Sequence, residues 1–88
     1  NLLTREVIKQ GDHIDLTKTE YDLLEYLLKN KGLVLTRDQI INQVWGYDFV
    51  GDTNVLDVYI RYLRNKIDYP YETNLIHTVR GVGYTIKE

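Results

Sequence analysis

The sequence predicts an α+β fold in which three helices are set between two β-hairpins. Two capping boxes, Thr17-Lys18-Thr19-Glu20 and Thr36-Arg37-Asp38-Gln39, mark helix starts, because a threonine oxygen and an acidic or amide side chain three residues on satisfy each other's backbone donors. From Thr53 to Ile67 no glycine or proline intervenes, and Leu56, Ile60, Leu63 and Ile67 recur at spacings of four, three and four. Glycine-bearing turns near Gly11 and at Arg80-Gly81-Val82-Gly83 each separate two short β-prone segments.

In chain order, the segment from Leu3 to Leu16 has Val7 and Ile8 before Gly11-Asp12 and Ile14 and Leu16 after it, which predicts a short hairpin. A first helix is predicted from Thr17, with Leu16 stapled against Tyr21 and with Tyr21, Leu24, Leu27 and Leu28 as its apolar positions. Lys29-Asn30-Lys31-Gly32 supplies a basic last turn and a stop, and Leu33-Val34-Leu35 is a brief extended run. The second helix, from Thr36, carries Ile40, Ile41, Val44 and Trp45 on its apolar side and stops at Gly46. Gly46 to Asp52 reads as a loop around Tyr47, Phe49 and Val50. The third helix spans 53–67 and is broken by Tyr69-Pro70-Tyr71, after which Leu75 to Val79 and Tyr84 to Ile86 form the closing hairpin.

A chain of 88 residues with 43% hydrophobic and 27% charged residues suits one compact domain over residues 1–88. There is no cysteine, which excludes a disulfide framework and a thiolate zinc site. No apolar run is long enough to span a bilayer and no signal-peptide pattern opens the chain, so a cytoplasmic location with no membrane partner is expected. The sequence has no serine, its two histidines, His13 and His77, lack neighbouring ligands at metal spacing, and no glycine-rich phosphate loop follows a strand. No catalytic residue, metal site or cofactor is therefore expected, and the chain is not read as an enzyme.

The net charge of −2 opposes a nucleic-acid partner, but the charge is uneven. Residues 1–52 hold six Lys/Arg against nine Asp/Glu, and residues 53–88 hold five against four. Arg61, Arg64 and Lys66 fall close together, and Arg80 stands beside a glycine pair. With Leu56, Ile60, Leu63 and Ile67 turned to the core, helical geometry directs Asn54, Asp57, Val58, Arg61, Arg64 and Asn65 outward. Arginine pairs with guanine edges or phosphates, asparagine reads base edges, and valine meets a thymine methyl. Asp57 is read first as the i to i+4 partner of Arg61 and second as an acceptor for a cytosine amino group. Trp45 is read first as core packing, with its indole N–H at the rim available to a phosphate. A short helix, a loop and a longer helix with a basic outer face is the arrangement that places a second helix in the major groove, and Arg80 at a narrow tip suits the adjacent minor groove. The competing reading is a solvated basic face, or a module of the same fold that binds protein. A steep inverse dependence of duplex binding on salt separates DNA from a protein partner.

Four segments carry a resemblance: Leu16-Thr17-Lys18-Thr19-Glu20-Tyr21-Asp22-Leu23-Leu24, Val44-Trp45-Gly46, Thr53-Asn54-Val55-Leu56-Asp57-Val58-Tyr59-Ile60-Arg61-Tyr62-Leu63-Arg64, and Thr78-Val79-Arg80-Gly81-Val82-Gly83-Tyr84. Together they resemble the effector domain of OmpR/PhoB-family response regulators, over about Val7 to Ile86, and are most similar to the CovR and ArlR type of Gram-positive bacteria. The resemblance implies a winged helix-turn-helix, with the short N-terminal hairpin as the remnant of a sheet and the C-terminal hairpin as the wing. It further implies sequence-specific binding of double-stranded DNA for transcription regulation, as the output of a two-component system.

By matching position, Asp57, Val58, Arg61 and Tyr62 would face bases. Trp45, Asn54, Tyr59, Arg64, Thr78 and Tyr84 would lie near phosphates, and Arg80 in the minor groove. Tyr47, Asp48, Phe49 and Val50 would form the loop that some members use to touch RNA polymerase. Tyr62 stands where many members carry arginine, so base preference does not carry over there. The family's receiver domain is missing, so the chain is expected to be a C-terminal fragment of a longer regulator. A sensor histidine kinase would act only through that absent domain. The isolated domain is expected to be a monomer reading one of two tandem half-sites.

Overall fold

The computed structural model describes residues 4–87, so Leu3, at the start of the expected hairpin, lies outside the described residues. Strands β1 (Thr4–Lys9) and β2 (Asp12–Thr17) pair antiparallel with Val7 opposite Ile14. The turn between them uses Gln10 and Gly11, both at positive φ (51° and 86°), as a tight two-residue hairpin requires. Alternation along β2 turns Ile14 and Leu16 into the core and leaves Asp15 outside.

Helix α1 (Lys18–Lys29) starts where its capping box predicts: the Glu20 N–H donates to Thr17 Oγ1 at 3.3 Å, and the Thr17 N–H donates to Glu20 Oε1 at 2.9 Å. Its buried stripe is Glu20, Leu23, Leu24 and Leu27, whereas Leu28 is 49% exposed. The expected stripe of Tyr21, Leu24, Leu27 and Leu28 is thus corrected by a small rotation. Four leucines at 23, 24, 27 and 28 allow either orientation. Glu20 decides it, because its carboxylate is turned inward to cap the helix and to accept from Lys66 Nζ at 2.6 Å.

The extended run after α1 becomes strand β3 (Leu35–Thr36). It joins the C-terminal hairpin of β4 (Ile76–Val79) and β5 (Gly83–Ile86) in a three-stranded antiparallel sheet of order β3-β5-β4. Gly83 makes this possible, since a β-carbon there would lie 2.0 Å from the Leu35 carbonyl oxygen. Helix α2 (Arg37–Val44) follows, with the second capping box formed as expected: Gln39 N–H to Thr36 Oγ1 at 3.1 Å and Thr36 N–H to Gln39 Oε1 at 2.9 Å.

Helix α3 is regular from Asn54 to Leu63, and its first turn is capped by Asp52, whose Oδ1 accepts from the Asn54 N–H at 2.8 Å. The expected uniform helix to Ile67 is corrected: Arg64–Asp68 forms a wider π-type turn, followed by a 3₁₀ turn over Tyr69–Tyr71. A turn closed by i to i+5 bonding holds one residue more, which lets Ile67 and Asp68 both reach the interior. Asp68 is buried there for a reason. Its carboxylate accepts from the Thr73 hydroxyl at 2.9 Å and from the Leu75 and Ile76 N–H groups at 2.9 and 3.2 Å, satisfying the backbone that leads into β4.

Leu56, Ile60, Leu63 and Ile67 all lie in the core with Leu16, Leu23, Leu27, Ile40, Ile76 and Ile86, as their spacing predicts. Leu63→Ala is expected to lower unfolding stability by ~2–5 kcal/mol, as truncation of a buried leucine does. Leu28→Ala should cost less than about 1 kcal/mol because that side chain is half exposed. Urea unfolding midpoints at constant slope measure both, and equal losses would mean that α1 is rotated toward the leucine pair 24 and 28.

Candidate nucleic-acid interface

With its apolar stripe buried, α3 presents Asn54, Val58, Arg61 and Tyr62 as exposed residues, and Asn65 is exposed in the π-type turn that follows. Among the described residues Arg61 has no hydrogen bond or ion pair, and the same holds for Arg80 in the exposed turn between β4 and β5. Both guanidinium groups are open to a ligand. The turn is built for exposure: Gly81 takes φ 75°, and the Val82 N–H closes onto the Val79 carbonyl at 3.0 Å.

Arg64 is differently placed. Its Nη2 donates to Thr78 Oγ1 at 2.8 Å and to the Ile76 carbonyl at 3.1 Å, and its guanidinium carbon lies 6.0 Å from the Tyr84 ring centre. Arg64, Thr78 and Tyr84 therefore form one patch where α3 meets the wing, rather than three separate contacts. Lys66, grouped with the arginines by sequence, turns to the other side, donating to Glu20 and to the Asp15 carbonyl, and leaves the basic stripe.

The expected pairing of Asp57 with Arg61 does not form. Asp57 Oδ1 instead accepts from Arg37 Nη1 at 2.6 Å and from the Tyr84 hydroxyl, while Arg37 Nη2 donates to the Thr53 carbonyl at 2.9 Å. One turn of helix places Arg61 near Asp57, but Arg37 and Tyr84 reach it from two other elements and offer two donors at once. Arg37 is the residue that sequence reasoning missed. A signal existed: a cation in the first turn of a helix opposes the helix dipole, so Arg37 at the start of α2 called for an acidic partner.

The charges follow from these contacts. The Arg37 hydrogen bond holds the Asp57 carboxyl below the ordinary carboxylate value, with burial opposing and the Tyr84 hydroxyl helping. The Asp57 hydrogen bond likewise raises Arg37. Burial, then the Asp57 hydrogen bond, pushes the Tyr84 hydroxyl up to about 12.

An aromatic row runs beside α3. Trp45 packs against Phe49 with ring centres 6.3 Å apart and meets Tyr59 edge-on at 5.5 Å; Tyr59 meets Tyr62 edge-on at 5.3 Å. Trp45 is half-buried against the core, as its first reading has it, and its indole N–H makes no hydrogen bond among the described residues. In the loop after α2, Phe49 folds back on Trp45 whereas Tyr47 and Val50 are 89% and 95% exposed. Among the described residues no group of three or more His, Cys, Asp and Glu is placed to hold a metal, and no helix is long and apolar enough to cross a membrane.

The Tyr84 contact has a pH signature. A carboxyl held low keeps its contribution above the ordinary carboxylate range and loses it only as pH falls through its lowered value. A tyrosine held high keeps its contribution below the ordinary value of 10.0 and loses it as pH rises toward about 12. An alkaline absorbance titration of the eight tyrosines should therefore show a late step near pH 12 that Tyr84→Phe removes. Survival of that step in the variant would assign it to another tyrosine, such as Tyr71, whose hydroxyl is also raised.

Residues 11–86 match the family model described as "Transcriptional regulatory protein, C terminal". The chain is 61% identical over 87 residues to the uncharacterized transcriptional regulatory protein YkoG of Bacillus subtilis, covering 99% of this chain and 38% of that protein. It is 58% identical over 83 residues to the response regulator ArlR of Staphylococcus aureus, covering 93% and 37%. Among solved structures, the DNA-binding domain of RstA from Klebsiella pneumoniae, in complex with the RstA box, superposes with a TM-score of 0.82 at 31% identity, covering 94% of this chain and 83% of that one. With a match across nearly all its residues and three helices bearing a wing, the chain belongs to the Transcriptional regulatory protein, C terminal family, and it has the winged helix-turn-helix fold of that family of DNA-binding transcription regulators.

Proposed function

We propose that this domain reads one half-site of duplex DNA by laying α3 in the major groove, with Val58, Arg61 and Tyr62 at base edges and Arg80 in the neighbouring minor groove. The observation that carries this reading is the contrast across α3: one side wholly buried, the other bearing the unpartnered guanidinium of Arg61. Phosphates are assigned to the rim formed by Asn54, Tyr59, the Trp45 indole N–H, and Arg64 and Thr78, which the buried Tyr84 ring backs, groups that position the helix without selecting sequence. Tyr62, 44% exposed, offers a hydroxyl where a guanidinium would reach farther, so base preference at its position should differ from relatives with arginine there.

The same proposal assigns the chain to the C-terminal part of a longer two-component response regulator acting in the cytoplasm. In support, it spans 38% and 37% of YkoG and ArlR. The rest of such a protein would carry the receiver domain addressed by a histidine kinase and would pair two regulators on tandem half-sites about one helical turn apart. The domain alone would be a monomer. Tyr47, Asp48, Phe49 and Val50 are assigned to RNA polymerase, supported by the exposure of Tyr47 and Val50.

In vitro selection of duplexes with the purified domain tests this reading and yields the half-site. Binding to it should fall steeply with salt, and a flat response would favour a protein partner instead. Arg61→Ala is expected to cost ~1–3 kcal/mol on the selected site and far less on random duplexes, measured by fluorescence anisotropy; equal losses on both would remove Arg61 from the base-reading set. Arg80→Ala should weaken sites with A·T-rich flanks more than G·C-rich ones in competition, and no difference would place the wing outside the minor groove.

A further inference from the structure

Asp57 is a puzzle for the proposed interface, because a carboxylate on the helix face that approaches phosphates is repelled by them. Three features bear on it. Its Oδ1 is shared by Arg37 and the Tyr84 hydroxyl, so it points toward the root of the wing. Arg37 is also bound to the Thr53 carbonyl, the residue just before α3, and so joins the start of α2 to the start of α3. The ion pair is only partly buried, with side chains 34% and 39% exposed, at the edge of a cleft shared with Thr78, Arg80 and Tyr84. Pairs this exposed add little to stability, so its position at the interface is the more telling feature.

We propose that Arg37 is a positioning residue for DNA recognition: it neutralises Asp57 and, together with Tyr84, holds that carboxylate against the wing, so that Asp57 ties α3 to the wing instead of reading a cytosine. This inference rests on the reading of α3 as the major-groove helix. Without Arg37, Asp57 keeps its Tyr84 hydrogen bond but is an unbalanced anion beside the DNA backbone, and its repulsion acts on every sequence alike.

The test is a double-variant cycle on the selected duplex, read by fluorescence anisotropy, with thermal melts to confirm that each variant is folded. Arg37→Ala is expected to weaken binding about tenfold, the scale of one unbalanced charge at a partly screened site. Adding Asp57→Asn to it should recover affinity to within about threefold of Asp57→Asn alone, with an unchanged slope against salt. A double variant as weak as Arg37→Ala, or a salt slope shallower by about one, would mean that Arg37 itself touches a phosphate or shapes the fold, and overturns the proposal. So does an Arg37→Ala that binds like the parent. Arg37→Gln keeps N–H donors without the charge and should lose affinity as the alanine variant does; it replaces that variant if the melt shows it unfolded. Failure of the parent domain to bind any duplex would overturn the major-groove reading as well, whereas failure confined to the cycle overturns only the role of Arg37.

Discussion

Burial of Leu56, Ile60, Leu63 and Ile67, none more than 3% exposed, fixes the rotation of α3 about its own axis. Each such side chain is worth ~1.5–3 kcal/mol when taken from water, and a turn of one residue, about 100°, would bring most of the stripe out. No surface ion pair competes with that, since exposed pairs contribute about 1 kcal/mol or less. The outward direction of Arg61 is therefore a consequence of the core. A function placed on the outer face of α3 is held by side chains that never meet the ligand.

The wing is held differently. A three-stranded sheet with a two-residue strand, β3, has little core of its own and depends on attachment to the helices. Ile76, Tyr84 and Ile86 join it to the shared core, and polar contacts add attachment in two places. Where the chain leaves α3, buried Asp68 takes two backbone N–H groups at the entry to β4 and Arg64 holds the Ile76 carbonyl and Thr78. At the first half of α3, Asp57 is bound to Tyr84 of β5 and to Arg37 of α2. Hydrogen bonds are directional, so these ties set the angle of the wing to α3 more sharply than apolar contact would.

Local chemistry made most of the fold legible in the sequence. Capping boxes and the four-three-four spacing encode their own geometry within a few residues, and the helix starts and the core face of α3 followed from them. What escaped was decided by residues distant in sequence. Leu23 and Leu28 are alike to any periodicity, and Lys66, 46 positions from Glu20, helps to choose between them. Strand β3 exists because Gly83 admits the Leu35 carbonyl. At the interface, the outward residues of α3 were readable, whereas the partners of Asp57 lie 20 and 27 positions away, and only the unfavourable site of Arg37 at a helix start hinted at them.

An acidic chain that binds DNA is helped where its carboxylates are kept from the interface or neutralised, and three contacts do this. Glu20 faces Lys66 beneath α1, and Asp68 is enclosed by backbone donors. Asp57, on α3 itself, is matched by Arg37. What remains unmatched on the outer face of α3 and at the wing tip is cationic, Arg61 and Arg80. So small a cationic surface neutralises few phosphates and gives weak non-specific affinity. In the proposed arrangement of tandem half-sites, discrimination would come from direct contacts of α3 and from two domains acting on one stretch of DNA, where weak binding by each is an advantage because occupancy requires both half-sites.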